Sequence, residues 1–571
     1  MNRLFAVPLL SFLAFAAGAE GIVRGYPALP EPAVATAKRF SAPLPARDPI
    51  RLAPLAEPKA RRLADDAAST DKRVRIGTRR DVQAESLSGS ARLDWHPAAG
   101  GGYVASFALA APGAQALRLG LAVRGLPEGT ELRFAGSAGS PTSPTVAGAQ
   151  ALQAARLAGL YWTPLTDGEM QTVEITIPAG ADPARVAIAP REASHVAVAA
   201  ADRFKAAAGP GASQSCHEDV ACAAPANAAL ANAARAVAKM AYTENGITYL
   251  CTGTLISDGD AASQVPYFFT AAHCIDTQAA AATLNTFWFF EAPACGGKAA
   301  GNYRQLSGGA QLLYSNASTD AALLRLSERA PEGSWFAGWD PSGVSNGTAL
   351  VALHHPAGDL KKLSFGQALT VTPGTGGASY TTAAWIAGST EAGSSGSGIF
   401  SLADGEYVLR GGLKGGSAAC TNSGRVEDPS NRDYYSRLDL EAPKLREWLA
   451  AGPAPLEDYT DMWWNPAESG WGLSLVQHAN NKVFATWFTY DRDGRAAWLV
   501  LPDARWTSAV AIEGALYRTT GPSSEATFDP ARVSVTPVGS ARIEFGYGGA
   551  GTATFVVDGK TSTKRIERQG Y

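Results

Sequence analysis

From about residue 90 onward, apolar and polar side chains alternate in short runs broken by turn residues, the period of half-buried strands. Between about 90 and 200 the runs "GGYVASFALA", "ALRLGLAVRGLPEGTELRFAG" and "MQTVEITIPAG" predict a small β-sandwich. A second strand-rich block covers about 211 to 450. It ends in the amphipathic stretch "EAPKLREWLAAG", with Leu445, Trp448 and Leu449 on one side. The last block, 459–571, carries a hairpin signal: "KVFATWFTY", the turn "DRDG", then "RAAWLVL". Residues 20–90 differ. They are rich in Ala, Pro, Asp and Arg with little periodicity, and are expected to be loosely structured. Their basic run "KRVRIGTRR" at 72–80 reads as a solvated face that a trypsin-like protease could cut. A Gly/Ala/Pro joint, "RFKAAAGPGASQSC", precedes the second block, and the Pro-rich linker "GPAPLED" at 452–458 follows it.

A chain of 571 residues is too long for one domain, and its 46% of apolar residues supplies a sizeable core. The 60 glycines and 35 prolines suit turn-rich β architecture. A net charge of −3 gives no reason to expect nucleic acid or an anionic membrane as partner. The start, "MNRLFAVPLLSFLAFAAGAEG", has a positive Arg3, an apolar run from Leu4 to Ala17 and small residues at 17–19. It reads as a signal peptide over 1–19, so an exported chain is expected. No later stretch is long and apolar enough to span a membrane. The six cysteines, Cys216, Cys222, Cys251, Cys274, Cys295 and Cys420, all lie in the middle block. An even number in an exported chain argues for three disulfides. No pair has zinc-ligand spacing, and neither a metal nor a cofactor is expected.

The candidate chemistry is in that block. "YFFTAAHCID" places His273 after an apolar strand-like run and beside Cys274. A lone histidine is more often structural than catalytic, but "YLCTGTLIS" puts Cys251 on a neighbouring strand signal. A Cys251–Cys274 bridge would fix the loop that carries His273. Asp320 stands directly before the strand-like "AALLRL", either as a turn residue or as the carboxylate that orients an imidazole. Ser395 lies in Gly393-Ser394-Ser395-Gly396-Ser397, where small neighbours let the N–H groups of Gly393 and Ser395 face one point and bind an oxyanion. The order His, Asp, Ser is that of the chymotrypsin triad, and the spacings suit two six-stranded barrels.

Residues 211–450 resemble the bacterial lysyl endopeptidases, serine proteases of the chymotrypsin fold that cut after lysine. The resemblance rests on "SCHEDVAC", "CTGTLIS", "TAAHC", "WFAGWD", "LHHP", "TEAGSSGS" and "RDYYSRL", in the family's order. It implies the disulfides Cys216–Cys420, Cys222–Cys295 and Cys251–Cys274, and a catalytic triad of His273, Asp320 and Ser395. It implies a lysine pocket with Asp433 at its base and Glu391 as a second acid beside it. Lys414 and Gly415, in "LKGG", fall at the pocket mouth, where the family has a histidine in place of Lys414. A cation there is expected to weaken lysine binding. The tryptophan that lies near the imidazole in known members has no equivalent in "TVTPGTGGASY", and Gly398 replaces a usual proline. The resemblance also implies a propiece, here 20–205, acting as folding aid or inhibitor. Release is expected after Lys205, leaving a protease domain of 206–451. Ser394 occupies the position of the aspartate that receives a new N-terminus in trypsin-like enzymes, so activation is expected to follow from folding and cleavage. The pair His354-His355 is expected to be structural.

The predicted fold is therefore mainly β: a chymotrypsin-like double barrel, preceded by a sandwich-like propiece and followed by a small all-β domain. The predicted function is a secreted, monomeric serine endopeptidase acting on protein or peptide substrates. The alternatives are an inactive protease-like binding protein and an endopeptidase of different preference. Trp463, Trp464, Trp471, Trp487, Trp498 and Trp506 of the last domain read as core packing, or as an aromatic surface for cell wall or polysaccharide.

Overall fold

The computed structural model describes residues 21–30, 48–55, 72–82, 93–98, 101–138, 145–196, 212–261, 263–374, 379–449, 455, 458–478, 482–508, 510–523, 528–546 and 549–569. The expected signal peptide, the joint with Lys205 and most of the expected 452–458 linker lie outside the described residues.

The alternating runs of the middle block form two barrels. In the second, strands Lys362–Pro373, Ala349–His354, Gly398–Ala403, Glu406–Gly416, Asp433–Tyr435 and Ser379–Ala387 pair in that order, and the last pairs back to the first. Every edge in this ring is used, which leaves no open backbone to solvate. In the first, Asn285–Trp288, Val237–Glu244, Ile247–Leu255, Tyr267–Thr270, Ala321–Leu326 and Ala310–Asn316 are linked in order. Leu323, Phe269, Val351, Leu353, Phe400 and Leu409 join one core that spans both barrels. Helix Leu438–Leu449 closes it with buried Leu445 and Leu449, as its amphipathic pattern requires.

The N-terminal region is a sandwich. One sheet contains Tyr103–Ala110, Met170–Ile177 and Glu131–Gly136, and the facing layer contains Ala116–Gly125 and Ala187–Val196. Phe107, Phe134, Val173 and Ile175 of the first pack on Leu117, Leu119, Leu121 and Ile188 of the second. The facing layer continues into the protease. Strand Val74–Asp81 pairs with Ala187–Val196 on one side and Ile247–Leu255 on the other.

The basic run at 72–80 is thus a central strand of a shared sheet, not a solvated face. The charges conceal a period-two pattern, in which Val74 and Ile76 are buried against Leu250, Phe287 and Leu360. Burying two such side chains stabilises the junction by roughly 1.5–3 kcal/mol each. Part of the stretch expected to be loose is also placed. Tyr26–Pro27 pairs with Trp335–Phe336, and Tyr26 stacks on Phe336.

The last domain is a closed barrel of eight strands, from Asp461–Trp464 to Lys560–Arg568. The hairpin Val483–Tyr490 and Ala496–Ser508 lies within it. Trp463, Trp487 and Trp506 are in its core, whereas Trp498 is exposed beside its cross-strand partner Phe488.

Candidate active site

His273, Asp320 and Ser395 come from three loops between barrel strands. Strand Tyr267–Thr270 ends in a turn closed by Cys274 N–H to Ala271 O at 3.1 Å, and this turn carries His273. The Cys251–Cys274 disulfide ties the turn to strand Ile247–Leu255. Asp320 ends the turn before strand Ala321–Leu326 with φ 60°, a left-handed conformation that is rare for a residue with a Cβ. Its two oxygens both meet His273: Oδ1 accepts the backbone N–H at 2.8 Å, and Oδ2 lies 2.7 Å from Nδ1. A buried carboxylate in this position fixes the ring and favours the tautomer with the proton on Nδ1. Nε2 is then left as an acceptor.

Ser395 lies in a tight turn in which Ser397 N–H donates to Ser394 O at 3.0 Å, and its own carbonyl accepts from Thr252 N–H. Gly393 adopts φ 97°, and a Cβ there would meet Gly358 N and His355 O at 2.7 Å. Only glycine fits, and its N–H is left facing the site. Ser394 is buried, and its hydroxyl oxygen accepts from Glu391 N–H at 3.2 Å and lies 2.8 Å from His354 Nδ1. The other ring nitrogen of His354 is 3.1 Å from Ser364 Oγ, which donates to Ser389 O. Ser364 therefore accepts from Nε2–H, and Nδ1 accepts from Ser394. Burial, and then the neighbouring His217, hold His354 well below the usual histidine range, so it stays neutral. The neutral His354–Ser394 pair thus braces the Ser395 turn.

Asp433 is fully buried on strand Asp433–Tyr435. Its Oδ2 accepts from Trp385 Nε1 and from Thr390 Oγ1, each at 2.7 Å. Its Oδ1 accepts from the ammonium of Lys72 at 2.5 Å. The same ammonium lies 2.6 Å from Thr390 Oγ1, and 3.2 Å from both Thr390 O and Ala418 O. A Cβ at Gly416 would stand 2.5 Å from Asp433 Oδ1, so glycine is needed for the carboxylate to fit. The carbonyl oxygen of Lys72 accepts from Gly393 N–H at 2.5 Å. A lysine from the N-terminal region thus lies with its side chain in the acidic pocket and its carbonyl at the Ser395 turn.

The other predicted pocket residues are placed differently. Glu391 turns away from Asp433, to His217 Nε2 at 3.0 Å and to Gln214 N–H at 3.1 Å. The second set of acceptors for the ammonium is instead Thr390 and the Ala418 carbonyl. The Lys414 ammonium stands 5.0 Å from the centre of the Tyr380 ring, and Gly415 has φ 142° on the same strand. Tyr380 donates to Ser318 O, near Asp320, so Lys414 faces that side of the cleft. Sequence reasoning missed Thr390, Trp385 and Ala418. Thr390 directly precedes Glu391 in "TEAGSSGS", whereas Trp385 reaches the pocket from strand Ser379–Ala387 and Ala418 from the loop after strand Glu406–Gly416.

The disulfides are Cys216–Cys420, Cys222–Cys295 and Cys251–Cys274. Two clusters with metal-ligand geometry, around His217 and His273, draw their sulfur atoms from these bridges and offer no thiolate. Among the described residues no helix is long and apolar enough to cross a membrane.

Comparison with known proteins gives matches along most of the chain. Residues 210–436 match the family model "Lysyl endopeptidase, C-terminal domain", and residues 50–197 match "Lysyl endopeptidase N-terminal domain". A curated lysyl endopeptidase from Pseudomonas aeruginosa is 35% identical over 429 residues, 72% of this chain and 86% of that protein. Among solved structures, the active form of the Rv3671c protease from Mycobacterium tuberculosis matches at 18% identity with a TM-score of 0.27, covering 41% of this chain and 90% of that one. A serine endoprotease from Yersinia pestis matches at 20% identity with a TM-score of 0.27, covering 39% and 65%.

Proposed function

We propose that this chain, which belongs to the lysyl endopeptidase family, is a secreted serine endopeptidase that cuts on the C-terminal side of lysine. The observation that carries the reading is the position of Lys72. Its ammonium lies on Asp433 at 2.5 Å while its carbonyl accepts from Gly393 N–H. A compact ammonium has three donors, and Asp433 Oδ1, Thr390 Oγ1 and one of two carbonyls match them. The planar fork of arginine is longer and needs a wider set of acceptors.

In this reading Asp320 holds His273 so that Nε2 accepts the Ser395 proton. Ser395 Oγ attacks the carbonyl carbon that follows the lysine Cα, and the oxygen gains negative charge toward the N–H groups of Gly393 and Ser395. His273 returns the proton to the leaving amine, and water then hydrolyses the acyl-enzyme by the same route. Residues 1–19 act as the export signal and 20–205 as the propiece, released after Lys205. Ser213 supports this boundary, since its N–H and hydroxyl both donate to Asp359 and tether the start of the protease.

Peptide mapping of digests made by the mature protein tests the reading. Ends at lysine should dominate over ends at arginine, Ser395→Ala should abolish cleavage, and the mature N-terminus should read Ala206-Ala207-Ala208. Cleavage without preference for lysine would overturn it, and failure of Ser395 to react with a fluorophosphonate would favour an inactive binding protein. For the barrel, the exposed pair Phe488 and Trp498 supports a surface for cell-wall polysaccharide. Trp498→Ala should then reduce co-sedimentation with cell walls, and unchanged co-sedimentation would reject that role.

A further inference from the structure

The N-terminal region enters the active site with more than one side chain. After Lys72 comes Arg73. Its guanidinium donates to Glu244 Oε2 at 3.0 Å and stands 4.6 Å from the centre of the Tyr249 ring. From there the chain pairs with the protease, Val74 opposite Leu250 and Arg75 opposite Tyr249. This segment therefore follows the edge of strand Ile247–Leu255, the strand that also carries Cys251 and so the His273 turn. The Lys72 carbonyl is at Gly393, so Arg73 occupies the place of the residue that leaves as the amine.

Glu244 and Tyr249 suit a cation there. The Glu244 and Arg73 side chains are only 17% and 21% exposed, so water screens the pair incompletely. Burial first, and then the nearby acid Asp276, raise the Glu244 carboxyl, while Arg73 lowers it. The site therefore carries a carboxylate that an adjacent cation stabilises. A cavity of about 900 Å³ opens here, lined by Arg73, Glu244, Asn245, His273 and Asp276. It connects this corner to the imidazole. Lys72 itself has φ 54°, a left-handed backbone that is unfavourable for a residue with a Cβ. The segment is held like a substrate at both side chains and bent at Lys72 itself.

We propose that Glu244 and Tyr249 form a second specificity subsite, which takes a basic residue immediately after the cleaved lysine. The chain's own Lys72 and Arg73 occupy the two subsites before the propiece is lost, and block them. The proposal rests on the lysine reading of the Asp433 pocket.

Its test uses the mature enzyme and peptides that differ only after a single lysine: Lys-Arg, Lys-Ala and Lys-Glu, with Leu-Ala as control and the cut position read by mass. Cleavage of Lys-Arg is expected to exceed that of Lys-Glu by about five- to tenfold in kcat/KM, the scale of a partly buried ion pair with a cation–π contact. Glu244→Gln should bring that ratio close to one. Equal rates for Lys-Arg and Lys-Glu, with Lys-Ala still far above Leu-Ala, would overturn the subsite alone. Equal rates for Lys-Ala and Leu-Ala would overturn the lysine reading instead. For the blocking segment, the unprocessed Ser395→Ala chain is compared with the same chain carrying Lys72→Met, using anisotropy of a fluorescent Lys-Arg peptide. The second chain should bind it about tenfold or more tightly, as removal of a competing intramolecular ligand requires. Equal affinity would overturn the block. Should Lys72→Met fail to fold, amine acylation of the Ser395→Ala chain decides. Lys72 is expected to react far more slowly than exposed Lys560, and equal reactivity would overturn the block.

Discussion

The proposed catalytic corner and the proposed lysine pocket each present one buried carboxylate to a nitrogen, at 2.7 Å for Asp320 and 2.5 Å for Asp433. They differ in what completes them. Both oxygens of Asp320 are engaged by His273, a permanent part of the protease. Asp433 has one oxygen fixed by Trp385 and Thr390, while the other is matched by Lys72 of the N-terminal region, the proposed propiece. A carboxylate satisfied from within holds a geometry. A carboxylate left one donor short favours whatever cation supplies it, because a buried charge without partners is costly. The first arrangement suits chemistry on any substrate, and the second suits selection among substrates.

Substitutions can break that contrast. Asp320→Asn should lower kcat by about 10⁴-fold for every substrate alike, since the ring loses the tautomer that accepts the proton. Single-turnover assays on a lysyl amide and a neutral analogue check this, and a loss confined to lysyl substrates would undo the comparison. Asp433→Asn should cost about 3–5 kcal/mol of transition-state stabilisation on lysyl substrates, the penalty of leaving one member of a buried pair unpartnered. Neutral substrates should barely change, and equal losses would assign Asp433 to the fold. Trp385→Phe removes one donor from the fixed oxygen and keeps the ring. A hydrogen bond to a charged group contributes about 1.5–3 kcal/mol, so kcat/KM for lysyl peptides should fall by roughly tenfold or more. No change would mean that Thr390 alone orients the carboxylate.

The smallest effect concerns pH. Burial holds His354 and His355 well below their ordinary range, with nearby cationic and histidine side chains adding to it. Their folded pKa is depressed, so below about pH 6.5 the unfolded chain binds protons that the folded one refuses. Stability should be lost as pH falls through that window, by up to about 1.4 kcal/mol per pH unit for each histidine. Thermal unfolding of the Ser395→Ala protein between pH 7.5 and 5 reads the slope. His354→Gln should flatten part of it, and an unchanged profile would place the acid-sensitive group elsewhere.

Much of this was legible in the chain because it is local. "TAAHC" and "GSSGS" each name a turn, and strand periods around them predict barrels, which the structure contains. The lysine-binding atoms were less legible. Ala418 contributes a backbone carbonyl, which no side-chain pattern reveals, and Trp385 reads as an ordinary apolar strand residue. Glu391 is adjacent to Thr390 in sequence, yet successive residues point to different sides, so only Thr390 faces Asp433. Lys72 was hidden by its neighbours. In "KRVRIGTRR" the charge density masks the alternation of Val74 and Ile76, and only the edge of strand Ile247–Leu255 explains why a basic segment is buried.

The bridge between Cys216 and Cys420 joins residues 204 positions apart, and Ala418, whose carbonyl meets the ammonium, is two residues from one end. The loop that holds the Ala418 carbonyl on Lys72 is therefore stapled to the segment around Cys216. The turn that carries His273 has a staple of its own in Cys251–Cys274, so the redox state of the surroundings bears on both corners. A thiol-rich compartment would free the Ala418 wall and the His273 turn together, leaving only their hydrogen bonds to hold them.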